Sequence, residues 1–268
     1  MIGAILGDIV GSRFEFNNYL SKDFRFLTSN CRFTDDSVMT CAVAQALMDS
    51  REDFSDLPEK TVAAMQRIGR QFPNCGYGAR FIRWMFSDNP QPYNSFGNGS
   101  AMRISPVGFA ARSIEEAKHL SRVVTGVSHN HSEGLKGAEA TAVAIVMARQ
   151  GLTKEKMRLE LQSYYEVSCS VDEYRRQWQG HGREICQVSM PQALACFYEG
   201  NSYEDVIRNC ISIGGDSDTL AAIAGGMAEA YYGVPDQYAE AVRKFLDPRL
   251  LKILDDFREW CGTRNEIK

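Results

Sequence analysis

Residues 34–47, TDDSVMTCAVAQAL, join two signals in one short stretch. Val38-Met39, Ala42-Val43 and Ala46-Leu47 recur with the 3.6-residue period of a helix that buries one face. Just ahead of them, Thr34, Asp35, Asp36 and Ser37 are residue types that accept hydrogen bonds from the open N–H groups of a first turn and suit the positive end of the helix dipole. A helix is expected from Val38, and taken alone its polar head reads as a cap. Stripes of the same period run through residues 114–124, 138–148, 206–213, 220–231 and 250–260, while alternating β-branched segments are scarce. The fold class predicted is all-α, a compact arrangement of many short helices. Pro58 and Pro191 suit first-turn positions, Gly151 follows one stripe, and Gly233 with Pro235 closes another. Gly3, Gly7 and Gly11, four residues apart, would clear one face of a central helix for close approach by another backbone.

Length and composition narrow the function classes. At 268 residues, 44% hydrophobic and 24% charged, the chain can bury a large core, and a single domain over residues 1–268 is expected. Thirty Lys and Arg against 34 Asp and Glu leave a net charge of −4, which offers no global attraction for nucleic acid or an anionic membrane. No run approaches the ~20 apolar residues that span a bilayer. The apolar start, Met1 to Val10, lacks a basic region and carries Asp8, which makes it a poor secretory signal, so a cytoplasmic protein is expected. A monomer with no membrane or nucleic-acid partner is also expected. Eight scattered cysteines without a C-x-x-C pattern fit reduced thiols rather than a disulfide framework or a zinc knuckle.

A second polar cluster, Asp216-Ser217-Asp218-Thr219, follows Gly214-Gly215 and precedes the stripe from Leu220 to Tyr232, in the same position as the first cluster. Two helix starts that each supply two carboxylates and a threonine hydroxyl form a set of hard oxygen ligands, which suits Mg²⁺ or Mn²⁺ better than Zn²⁺. Four carboxylates gathered without a cation would repel one another and be partly neutralised, whereas divalent ions would hold them ionised. Spacing alone leaves open whether the clusters meet. Asp8 reads either as a buried, hydrogen-bonded group or as part of a site, and Glu15 either as an exposed loop residue or as an acid near it. The Gly97-Asn98-Gly99-Ser100-Ala101-Met102-Arg103 loop is rich in unobstructed backbone donors that could cradle phosphates, although Gly-Asn-Gly is also a common tight turn. His129 and His131 precede a helix expected to be capped by Ser132, and a ligand-contacting imidazole fits them better than zinc. The stripe Phe81, Trp84, Met85 and Phe86 reads as core packing, and the charged stretch from Lys154 to Glu184 as a solvated helix and loop.

Five of these segments together, GDIVGSRFEF, FTDDSVMT, GNGSAMRISPVG, SHNHSEGLKGAEATA and GGDSDTLAAIAGGMAEAYYG, resemble the ADP-ribosylglycohydrolase family in content and order, from residue 7 to about residue 233. The resemblance implies an all-α, orthogonal multi-helix domain with a cleft that binds two divalent cations, Mg²⁺ or Mn²⁺. It implies Thr34, Asp35, Asp36, Asp216, Asp218 and Thr219 as metal ligands and Glu15 as a mobile acidic residue beside them. It implies Gly97, Asn98, Gly99 and Ser100 as the loop lining the diphosphate and distal ribose, and His129 as a contact to ADP-ribose. Asp8 is assigned to support of the site. Ser100 stands where the motif commonly has Ala, and residues 16–32 carry no motif.

The activity implied is hydrolysis of the bond from ribose C1″ to an acceptor, with Glu15 or Asp35 taking a proton from the attacking water. The expected substrate is an ADP-ribosylated protein or small ADP-ribose conjugate, with arginine linkage leading and serine linkage as the alternative. A two-metal nucleotide phosphohydrolase would use the same oxygen-rich ligands. A non-catalytic ADP-ribose-binding member would be expected to have damaged acidic clusters, and both clusters here are whole.

Overall fold

Gly3, Gly7 and Gly11 fall on one face of helix α1 (Ile2–Gly11), and a second helix, Ser217–Tyr232, lies against that face backbone to backbone. A Cβ on Gly3 would stand 2.6 Å from the Gly225 carbonyl oxygen, one on Gly7 would overlap the Ala221 carbonyl, and one on Gly11 the Asp218 backbone. The two helices therefore run antiparallel, and the end of α1 meets the start of its partner. A glycine inside a helix costs about 1 kcal/mol relative to alanine. Here that cost is offset by the close contact that only glycine permits.

The structure, a computed structural model, describes residues 1–178 and 184–266. After α1 its helices are α2 (Asp35–Asp49), α3 (Leu57–Gly69), α4 (Ala79–Phe86), α5 (Gly99–Met102), α6 (Ser105–Ala110), α7 (Ile114–Gly126), α8 (Ser132–Arg149), α9 (Lys154–Leu161), α10 (Val171–Gln177), α11 (Cys186–Glu199), α12 (Tyr203–Ile213), α13 (Ser217–Tyr232), α14 (Asp236–Val242) and α15 (Pro248–Glu266). Among the described residues there is no strand, only an isolated bridge between Gly97 and Ile185. The fold is all-α, as the periodicity predicts. None of these helices is long and apolar enough to cross a membrane, and all eight cysteines are free thiols.

Helix α13 is buried from Ser217 to Ala228, so it forms the centre of the fold together with α1. Helix ends follow the sequence signals in most places. Thr34 caps α2, its hydroxyl accepting from the Asp36 N–H, and Gly233 ends α13 with φ +75°. Pro58 lies in the first turn of α3. Three expectations fail at the level of local packing. Pro191 sits inside α11 rather than in its first turn, because the helix already starts at Cys186, ahead of the apolar stripe. The cap of α8 is His131, whose Nδ1 accepts from the Glu133 N–H at 3.1 Å, and Ser132 is already the first helical residue. Phe86 is 51% exposed, because the short α4 buries only the face that carries Phe81, Trp84 and Met85. The charged stretch forms α9 and α10, and its residues 179–183 lie outside the described residues.

Candidate metal centre and its cleft

The antiparallel contact of α1 with α13 brings Asp8 to the starts of both α2 and α13. Asp8 is fully buried and acts as a hub: it accepts from the Thr34 N–H at 3.0 Å, the Thr34 hydroxyl at 2.7 Å, the Ser37 N–H at 3.1 Å and the Ser37 hydroxyl. These bonds tie the first turn of α2 to α1. Burial nevertheless pushes its carboxyl up to about 6, against the opposing hydrogen bonds from Ser37 and Thr34. On the other side, Gly214 and Gly215 adopt φ of +82° and +81°, backbone that favours glycine, and they turn the chain into α13. The Gly215 N–H donates to the Asn18 side chain, which holds that turn against the segment after α1.

Two groups of carboxylates result, each with one oxygen per residue and all three oxygens within 4.8 Å of one another. One group is Asp8, Asp36 and Asp218; the other is Glu15, Asp216 and Asp218. Asp218 belongs to both. The Thr219 hydroxyl donates to Asp36 Oδ2 at 3.3 Å, while Asp36 Oδ1 is buried with no hydrogen-bond partner. An orphaned, buried carboxylate oxygen among other carboxylates lacks a positive partner, and a hard divalent cation would satisfy it. Burial and mutual repulsion raise the carboxyls of Asp36 and Asp218 well above the usual range. The donor set fits Mg²⁺ or Mn²⁺ on this ground, since a bound cation would return these groups to the ionised form.

Asp36, Asp216 and Asp218 thus come together, with Thr219 bonded to Asp36. Thr34 and Asp35 stand differently. The Thr34 hydroxyl is engaged by Asp8, and Asp35 belongs to neither group of three. Asp35 lines the cleft above them, its carboxyl pushed up to about 8 by burial and by Asp8 and Asp216, with Arg103 opposing. Glu15 is half-buried and pushed up to about 7 by burial and by Asp216 and Glu184.

Every residue that the sequence analysis assigned to metal, substrate or catalysis, except Thr34 and Ser100, lines one cleft of about 410 Å³. The Gly97–Arg103 segment is built around one turn of helix, α5, capped by Asn98 and Arg103, rather than an open loop. Asn98 donates from Nδ2 to Asp216 Oδ2 at 2.5 Å and to the Ser189 hydroxyl at 2.9 Å, so its side chain serves the carboxylates. Ser100 is buried beneath the turn, its hydroxyl donating to the Gly97 carbonyl at 3.1 Å and lying 3.2 Å from the Cys186 sulfur. His129 is buried with Nδ1 2.8 Å from the Ser128 hydroxyl, between the rings of Tyr93 and Phe81. Burial, then Arg103 and Arg80, hold its imidazole neutral.

Arg103, Glu184, Tyr93, Arg80 and Gly76 also line the cleft and had no sequence signal of their own. Arg103 lay within a recognised segment but could be read only as its end. The hub geometry fits Asp8 to support of the site while also placing it in a carboxylate group.

A family model described as ADP-ribosylglycohydrolase matches residues 1–266. The ADP-ribosylhydrolase ARH3 of Homo sapiens is 25% identical to this chain over 332 residues, covering 94% of the chain and 90% of that protein. The ADP-ribosylarginine hydrolase Tri1 of Pseudomonas putida is 24% identical over 271 residues, covering 91% and 72% respectively. A solved structure titled ADP-ribosylglycohydrolase-related protein complex superposes with a TM-score of 0.68 at 21% identity, covering 99% of this chain and 96% of that one.

Proposed function

The chain belongs to the ADP-ribosylglycohydrolase family and is an enzyme that acts on glycosidic bonds, and on that premise we propose that it removes ADP-ribose from arginine side chains of modified proteins. The observation that carries this reading is the pair of carboxylate groups sharing Asp218, set in one cleft with a glycine turn and a neutral imidazole. Asp36, Asp216 and Asp218, with Asp8, Glu15 and Thr219 beside them, would hold two divalent cations, Mg²⁺ or Mn²⁺. Bound there, the cations would supply positive charge that anchors the vicinal hydroxyls of the distal ribose.

The chain's own groups do the rest. The backbone at Gly97 and Gly99 and the uncharged His129 border the nucleotide and fix its position, so that C1″ faces the carboxylates. With the charge of the carboxylate groups balanced by cations, Glu15 or Asp35 would stand ionised, and it accepts a proton from water as the water oxygen bonds to C1″. The C1″–nitrogen bond breaks through an oxocarbenium-like state, and the proton passes to the departing guanidine. Glu184, an acid on the cleft wall outside the carboxylate groups, suits a cationic guanidine better than a neutral serine hydroxyl. One relative, Tri1, is named for arginine-linked substrates, while the name ARH3 carries no linkage.

The test is incubation with arginine-, serine- and aspartate-linked ADP-ribosyl peptides in Mg²⁺, Mn²⁺ or EDTA, with products separated by chromatography. Free ADP-ribose from the arginine-linked peptide, abolished by EDTA, is the expected result. Release from the serine-linked peptide alone would reassign the acceptor, and release of phosphate would replace the reading with a nucleotide phosphohydrolase.

A further inference from the structure

Arg103 is 3% exposed and lines the cleft, yet nothing in the chemistry above uses its charge. A buried cation is costly unless an anion or a full set of acceptors stands beside it. Arg103 has neither. Its Nε donates to the Gly99 carbonyl, its Nη1 lies 3.8 Å from the Met65 sulfur, and its plane lies over the Phe81 ring at 4.5 Å. Among the described residues it makes no ion pair, and Asp35 and Asp36 attract it only from longer range.

The remaining nitrogen, Nη2, is placed where a ligand would come. It lies 2.8 Å from the point at which a side chain on Gly99 would begin, and His129 Nε2 lies 3.4 Å from that same point. An arginine cation, a neutral imidazole and a glycine without a side chain thus converge on one spot in the cleft wall. Holding the Gly99 carbonyl takes only one donor and no charge, so the backbone contact alone does not account for a buried guanidinium. A guanidinium locked by one hydrogen bond and one aromatic face has little rotational freedom left to lose, which favours capture of an anionic oxygen.

We propose that Arg103 binds the diphosphate of the substrate and is the residue that separates ADP-ribose conjugates from uncharged ribosides. This inference rests on the reading that the cleft takes ADP-ribose. A fixed cation beside Gly99, on the opposite side of the cleft from the carboxylate groups, also determines which way round the nucleotide lies.

The experiment measures binding by calorimetry in EDTA, with ADP-ribose, adenosine and inorganic pyrophosphate as probes, on the intact chain and on Arg103→Gln and Arg103→Lys. Arg103→Gln is expected to lose about 10- to 100-fold in ADP-ribose affinity, the range for a hydrogen bond to a charged group, with adenosine affinity nearly unchanged. Arg103→Lys, which keeps the charge without the planar fork, should fall between. Equal losses for ADP-ribose and adenosine would show that Arg103 only holds the Gly99 backbone and would overturn the proposal. If Arg103→Gln does not fold, pyrophosphate binding by the intact chain against Arg103→Lys decides, and unchanged affinity overturns the proposal. An intact chain that binds pyrophosphate through Arg103 but not ADP-ribose would sink the functional reading and leave the anion site standing.

Discussion

On one side of the cleft, Asp36, Asp216 and Asp218, with Asp8 buried behind them, crowd carboxylate oxygens together with no basic side chain among them; on the other, Arg103 and His129 stand by the glycine turn, one charged and one neutral. Burial acts on the two sides in opposite ways: it pushes the carboxyls of Asp8, Asp36 and Asp218 up toward neutrality and holds the imidazole and guanidinium below their usual ranges. The first side is therefore incomplete until a cation enters, and the second until an anion does. A substrate with a hydroxyl-rich ribose at one end and phosphates beyond it meets both needs at once. Asn98 is the physical link, since it belongs to the glycine turn and its side chain donates to Asp216.

The largest effect should come from the residue shared by both carboxylate groups. Supporting partners of metal ligands typically cost ~10–100-fold in metal affinity, so Asp218→Asn, which removes a carboxylate from both groups, should exceed ~10²-fold and abolish turnover. Calorimetric titration of Mn²⁺ into the variant checks this, and unchanged affinity would reduce Asp218 to a first-turn helix residue.

Next in size is Glu15→Gln. Loss of a positioned acid or base costs ~10²–10⁴ in rate, so kcat should fall by that factor while ADP-ribose still binds. A near-normal kcat would make Asp35 the base. Loss of ADP-ribose affinity with kcat intact would move Glu15 from the carboxylate side to the binding side of the comparison.

Asn98→Ala probes how separate the two sides are. Removing its bond to Asp216 should weaken Mn²⁺ binding by about 10–100-fold in the absence of nucleotide. If only ADP-ribose affinity drops, the bond is incidental to the metal side.

The smallest effect is a pH trend in stability. Unfolded carboxylates titrate near ~4, whereas Asp8, Glu15 and Asp35 in the metal-free fold titrate at about 6, 7 and 8. The folded chain then holds protons that the unfolded chain releases, so their contribution is fully present below about pH 4 and is lost as pH rises through the folded values. The melting temperature in EDTA should fall between about pH 5 and 8, and saturating Mn²⁺ should flatten that fall by replacing the protons with metal charge. Identical pH profiles with and without Mn²⁺ would contradict a metal site built from these groups.

The helical class, the close face of α1 and the two polar helix starts were legible from local chemistry, because apolar period, glycine spacing and cap-forming residues each act over a few neighbours. Exceptions such as Pro191 inside α11 and exposed Phe86 arose where a helix began earlier, or buried less of its face, than its own stripe implied. Which carboxylates meet was decided in three dimensions. The side chains of Asp36 and Asp218 meet because the antiparallel contact at Gly3, Gly7 and Gly11 sets the depth at which α13 begins relative to Asp8. Asp35, one residue from Asp36, was left outside both groups because successive helical residues point about 100° apart. Arg103 bonds back to Gly99 within its own turn, but what fixes it in the cleft wall is the Phe81 ring of α4, a contact between distant segments that no local pattern encodes. Residue types and spacing determine which groups are present and what each can bind, but the direction and depth of each side chain depend on helices brought together from distant parts of the chain.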